Sequence, residues 1–158
     1  MEPCCDAISE LVPHHGSMCL LDAVEAWDDH HIVCRATSHL RRDNPLRDSS
    51  GLRALCAIEY GAQAIAAHAT LLGNGHRQCV ADGVLASLRD VTTTRSHLDG
   101  LKGALTILAT LQLSHQQGRI YDVTVTGDGQ TLLTGRLSVM LQPDNLGEAS
   151  SLSREGAA

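Results

Sequence analysis

Glu59 stands in the run Ala57-Ile58-Glu59-Tyr60-Gly61-Ala62-Gln63-Ala64, where most neighbours are apolar or small. A carboxylate withdrawn from water without a partner costs several kcal/mol. Glu59 must therefore be paired, protonated or open to a cavity. It is either an exposed or salt-bridged group on one stripe of a helix, or part of an active site. Gln63 follows one helical turn later, on the same side. The side chain best matched to a carboxyl for proton transfer near neutral pH is histidine, and the chain has nine. His14 and His15 sit in Leu11-Val12-Pro13-His14-His15-Gly16, and His39 opens a polar stretch. His68 lies half a turn out of phase with Glu59 and reads as a core or surface residue. His30, His31, His76, His97 and His115 fall in turns or at strand ends, where surface placement is expected.

Metal and disulfide chemistry find little support. Cys4, Cys5, Cys19, Cys34, Cys56 and Cys79 contain no C-x-x-C, and His14-His15 with Cys19 lacks a second ligand pair at metal-site spacing. No metal and no cofactor is expected. Scattered buried thiols fit a reducing, cytoplasmic setting. The first residues show neither a basic start nor an apolar run, so no secretory signal is expected. A formal net charge of −6 argues against nucleic acid and anionic membrane as partners, and no apolar run reaches membrane-spanning length. Arg41, Arg42 and Arg47 form a loose basic group that Asp43 and Asp48 interrupt, which reads as a solvated loop.

The elements that must position these groups follow from periodicity. Residues 11–22 form a short turn or helical entry into an apolar strand. Asp28-Asp29 supplies a turn, after which Ile32, Cys34 and Ala36 alternate with His31, Val33 and Arg35. Ser38 to Ser50 is a long polar loop broken by Asn44-Pro45. Over residues 52–72 the period becomes helical, with Leu55, Ile58, Ala62, Ile65, Ala69 and Leu72 in phase, Ser49 or Ser50 as cap and Gly73 at the stop. Its abundant Ala and Gly predict an enclosed helix that other backbone approaches closely. Beyond it the period is two: 84–91, then Leu105 to Leu113, then Tyr121, Val123 and Val125, then Leu133 to Leu141 after the Gly127-Asp128-Gly129 turn. Two strands, one enclosed helix and four strands predict an α+β domain over residues 1–142. In it a curved antiparallel sheet wraps one central helix, the hotdog arrangement, with a generic α+β roll as runner-up. Residues 143–158 read as a disordered tail.

Two segments resemble the 3-hydroxyacyl-carrier-protein dehydratases. Leu11-Val12-Pro13-His14-His15-Gly16-Ser17-Met18-Cys19-Leu20-Leu21-Asp22 is similar to that family's Leu-Pro-His-Arg…Leu-Leu…Asp opening, and Ile58-Glu59-Tyr60-Gly61-Ala62-Gln63-Ala64 to its Glu-x-x-Ala-Gln-Ala helix motif. With Asn44-Pro45 and the run Ile58 to Ala67, the pattern resembles a divergent branch found in aryl-polyene and xanthomonadin-type pigment clusters. The likeness covers roughly residues 11–141. One departure stands out. Typical members carry a catalytic His in a His-Phe-Pro-Gly loop about fourteen residues before the helix Glu; here Pro45 occupies that position, and no His lies between His39 and Glu59.

The resemblance implies a (3R)-3-hydroxyacyl-[acyl-carrier-protein] dehydratase that eliminates water to give a trans-2-enoyl thioester in fatty-acid or polyene synthesis. One group removes a proton from C2 and another protonates the departing hydroxyl. Glu59 and His14 are the expected catalytic pair, His14 replacing the missing loop base, or else simply pinning the N-terminal turn; His39 and His15 follow as lesser candidates. Asn44, Gly51, Leu52 and Gln63 are expected to contact substrate, the Gly51-Leu52 step offering backbone N–H groups to the thioester oxygen at the helix start. The implied partners are an acyl carrier protein bearing the 3-hydroxyacyl thioester, and a second hotdog protein in a homodimer or heterodimer. Two other functions stay open: a non-catalytic hotdog subunit paired with an active dehydratase, and an acyl thioesterase.

Overall fold

The computed structural model describes residues 8–73 and 83–141. Its elements run α1 (Ile8–Leu11), β1 (Ala23–Trp27), β2 (His31–Ala36), α2 (Ala57–Leu72), β3 (Gly83–Thr93), β4 (Leu105–His115), β5 (Gly118–Gly127) and β6 (Gln130–Leu141), with 3-10 turns at Gly16–Met18, Ser38–Leu40 and Ala54–Cys56. The six strands form one sheet in the order β1-β2-β4-β5-β6-β3, and every paired neighbour is antiparallel. The sheet wraps around α2, so this is a single hotdog fold. The tail expected at 143–158, together with Cys4, Cys5, Cys79 and His76, lies outside the described residues.

Local chemistry explains the turns. Asp28 accepts the N–H groups of His30 and His31 at 2.7 and 2.9 Å, closing the β1–β2 hairpin. Asp128 and Gly129 have φ of 49° and 75°, the pair of positive values a tight right-twisted hairpin requires between β5 and β6. The buried face comprises Ile32, Cys34 and Ala36 from β2, Leu105, Ile107 and Ala109 from β4, Tyr121, Val123 and Val125 from β5, and Leu132, Leu133 and Leu137 from β6. Burial pushes the Cys34 thiol up to about 12, so it packs as an inert apolar group. Gly61 brings α2 onto β5: a Cβ there would lie 2.7 Å from Val123 Cγ1.

Three expectations need correction. Leu113 was expected to share the inner face of β4, but the register slips between Leu111 and Leu113, and Leu113 is 53% exposed. One extra residue in a strand turns every later side chain to the opposite face. Second, α2 begins at Ala57 rather than near residue 52. Residues 52–54 instead pair with the β3–β4 connection: Ala54 N–H donates to Ser96 C=O at 2.9 Å and Leu98 N–H to Leu52 C=O at 2.8 Å. Third, Ser49 and Ser50 do not cap the helix; Ser50 turns its hydroxyl and N–H to Asp48.

The apolar phase predicted for α2 coincides only in part with its buried side: Ile58 and Ile65 are buried, but Ala62, Ala69 and Leu72 are half-buried. Leu55 is 55% exposed, whereas Tyr60, Gly61, Gln63, Ala64, Ala67, His68 and Thr70 are buried. No residue of α2 is fully exposed, and its least covered line runs through Glu59, Ala62, Ala66 and Ala69. The sheet leaves β3 at an edge, with Val84, Leu85 and Leu88 exposed. Among the described residues no helix is long and apolar enough to cross a membrane.

Candidate active site

His14 is carried by a segment without regular structure. Leu11, Val12, Leu20 and Leu21 are buried on either side of it, and Gly16, at φ 59°, makes the turn between them. Those anchors leave the imidazole over the first turns of α2, where His14 Nε2 lies 3.3 Å from Glu59 Oε1. The two side chains are 28% and 34% exposed. The separation exceeds the 2.7–2.9 Å typical of a charge-assisted bond, so the contact is loose. His14 Nδ1 is shielded from solvent and has no hydrogen-bond partner among the described residues. The structure thus brings together the two groups suited to proton transfer, on the least covered line of an otherwise covered helix.

The four expected substrate contacts have other employment. Gln63 is fully buried; its Nε2 donates to Met18 C=O at 2.7 Å and its Oε1 accepts Leu20 N–H at 2.9 Å. Asn44 is buried too: its Nδ2 donates to Ser38 C=O at 2.9 Å and to the Tyr60 hydroxyl at 3.1 Å, while its Oδ1 accepts Leu46 N–H. Leu52 N–H donates to Asp99 Oδ2 at 2.8 Å, and Gly51 N–H to Asp48 C=O at 3.1 Å. Neither N–H is free for a thioester oxygen. The space beside Gly51 is filled by Asp99, whose carboxylate would collide with any Cβ at that position. Gly51 has φ 110°, a second reason for glycine. Arg47 pairs with Asp99 and, with the Leu52 N–H, holds that carboxyl below its usual range.

Among the other histidines, His39 is buried with neither ring nitrogen in a hydrogen bond of good geometry, and burial lowers its pKa. His68 is a core residue held between the Tyr121 hydroxyl and Asp28 C=O. Several supporting groups left no sign in the sequence. Ser38 Oγ donates to Leu20 C=O at 2.7 Å and meets the Tyr60 hydroxyl at 2.8 Å, so Ser38, Asn44 and Tyr60 form one buried network. Burial raises the Tyr60 pKa and keeps its hydroxyl neutral. Thr70 and Asp99 likewise act through partners distant in the chain.

Residues 6–151 match the family model described as ApeP-like, ApeP dehydratase. No curated protein matches the chain significantly. Among solved structures, the chain is similar to the dehydratase heterocomplex ApeI:P from Xenorhabdus doucetiae. The identity is 26% and the TM-score 0.75, over 91% of this chain and 93% of that one. A hypothetical thioesterase with coenzyme A from Streptococcus pneumoniae TIGR4 aligns at 16% identity and TM-score 0.55, covering 75% of this chain and 84% of that one. The PaaI protein of the E. coli phenylacetic acid degradation operon aligns at 15% and 0.52, covering 74% and 80%. The last two share the fold.

Proposed function

The chain belongs to the ApeP-like dehydratase family, which gives it a dehydratase-type function, and from that premise we propose that it dehydrates (3R)-3-hydroxyacyl thioesters borne by an acyl carrier protein. The observation that carries this reading is the 3.3 Å approach of His14 Nε2 to Glu59 Oε1 on the least covered line of α2. A substrate placed across the pair meets both groups it needs. His14 Nε2 accepts the C2 proton as the C2–C3 double bond forms, and the carboxyl proton of Glu59 goes to the C3 hydroxyl, which leaves as water. The pair then holds an imidazolium and a carboxylate. Transfer of one proton from His14 to Glu59 across the same contact restores the starting state, so no outside acid or base is consumed.

Both groups come from one chain, yet the chain is proposed to work beside another hotdog protein. Two observations support pairing: similarity to a chain of a dehydratase heterocomplex, and an open β3 edge bearing exposed Val84, Leu85 and Leu88. A second reading rests on the loop between His39 and Glu59, which holds no histidine: the chain then shapes a partner's site without reacting. One assay separates the two. The chain, alone and co-purified with a candidate partner hotdog protein, is given 3-hydroxyacyl carrier protein, and loss of water is followed by mass spectrometry. Turnover abolished by Glu59→Gln supports catalysis here. Turnover in the complex that survives both Glu59→Gln and His14→Ala supports the non-catalytic reading, and release of free thiol instead identifies a thioesterase.

A further inference from the structure

The stretch that carries His14 belongs to no sheet, so something other than a strand ladder must fix its position. Its backbone is fastened to α2 on either side of the histidine. Before it, Leu11 C=O accepts Thr70 Oγ1 at 2.9 Å. After it, Gln63 spans Met18 C=O at 2.7 Å and Leu20 N–H at 2.9 Å. Between those fastenings the described residues show two local turn pairs, Met18 N–H to His15 C=O and Cys19 N–H to Gly16 C=O, and one long 3.5 Å bond from Arg41 Nη2 to Ser17 C=O. Gln63 and Thr70 are both buried and neither faces the open line of α2.

The residue types suit this work. A carboxamide offers one acceptor and one donor, and so reads an N–H and a C=O of the same segment as a neighbouring strand would. Leucine offers neither, methionine only a weakly accepting thioether, and an ionised glutamate lacks the donor. Thr70 is the weaker fastening, because its hydroxyl also lies 3.0 Å from Ala66 C=O and has a single proton to give. Glu59, Gln63 and Thr70 are on one helix, so the carboxyl and both fastenings share a rigid frame.

We infer that Gln63 and Thr70 are positioning residues that set the distance between His14 and Glu59. The inference rests on the dehydratase reading for its consequence in turnover, but not for its geometry. Displacing a reacting group by about 1 Å can cost on the order of 100-fold in rate. Gln63→Met in the full chain with its partner is therefore expected to lower kcat about 10- to 100-fold, with KM changed less than about threefold. Thr70→Val is expected to lower kcat several-fold, and Thr70→Ser to restore it.

Two measurements on the full chain stand apart from activity: hydrogen exchange at the Leu20 amide and the imidazole nitrogen spectrum of His14. Gln63→Met should speed Leu20 exchange at least about tenfold and shift the His14 signals. A folded Gln63→Met protein with His14 signals and Leu20 exchange like the wild type overturns the inference. So does Thr70→Val with unchanged His14 signals, which serves if Gln63→Met fails to fold. If Glu59→Gln leaves turnover intact, the dehydratase reading falls while these two spectroscopic readouts still decide whether the fastenings hold His14.

Discussion

Two histidines meet groups of α2 or lie on it, and they are used in opposite ways. His68 is fully buried, with Nε2 2.7 Å from Asp28 C=O and Nδ1 2.9 Å from the Tyr121 hydroxyl. A carbonyl only accepts, so Nε2 carries the proton and Nδ1 accepts from the phenol. The rings meet edge-on at 80°. Nothing is left over. His14 makes one loose contact to a half-open carboxyl, and its other nitrogen has no partner among the described residues. A saturated histidine holds a fold together, whereas one with unused bonding capacity beside an acid can take up a proton. The contrast is the reason the reactive site is proposed beside His14.

The largest expected effect attacks that end. Glu59→Gln and His14→Ala should each lower turnover by about 10²- to 10⁴-fold, the usual worth of a general acid or base. If His68→Gln is as damaging per folded molecule, the distinction drawn between the two histidines collapses. Next, Tyr121→Phe leaves His68 Nδ1 buried without a donor and should cost about 1–3 kcal/mol in denaturant unfolding, with turnover per folded molecule preserved.

A smaller effect is expected from pH. Burial lowers the pKa of His68 and of His39, so the folded state favours their neutral forms. Their stabilisation is complete above the unfolded value of about 6.5 and is lost as pH falls below it towards the lowered folded values. The denaturation midpoint should therefore drop between about pH 7 and pH 5, and drop less in His68→Gln. Smallest is the stability change in Glu59→Gln. A pair about one-third exposed contributes at most about 1 kcal/mol, so its melting temperature should barely move.

Most of the architecture could be read from period alone, because one-sided burial leaves a plain alternation in β2, β4 and β5 and a run of small residues in α2. The errors arose where tertiary pairing overrides local pattern. Leu113 left its expected face through a register slip that no residue type announces. Residues 52–53 look helical but are held in an antiparallel bridge to His97, flanked by bonds to Ser96 and Leu98. At the site, Glu59 was conspicuous as a carboxyl among apolar neighbours. Gln63 and Asn44 were equally visible, but an amide's partner depends on which backbone the fold brings alongside. Here that is the chain's own backbone. Ser38, Thr70 and Asp99 have ordinary neighbours in sequence, and only contacts between distant segments reveal their work.

The irregularity of β3 has a consequence for assembly. An open strand edge bearing apolar residues invites addition of further strands without limit. This one breaks register between Leu85 and Ser87 and again between Arg89 and Thr92, and Asp90 between the latter two has φ 52°. A newcomer can lie flat only along a short stretch before the backbone swings away. That geometry denies a straight template to a growing fibre and leaves a neighbouring strand only a short stretch to follow.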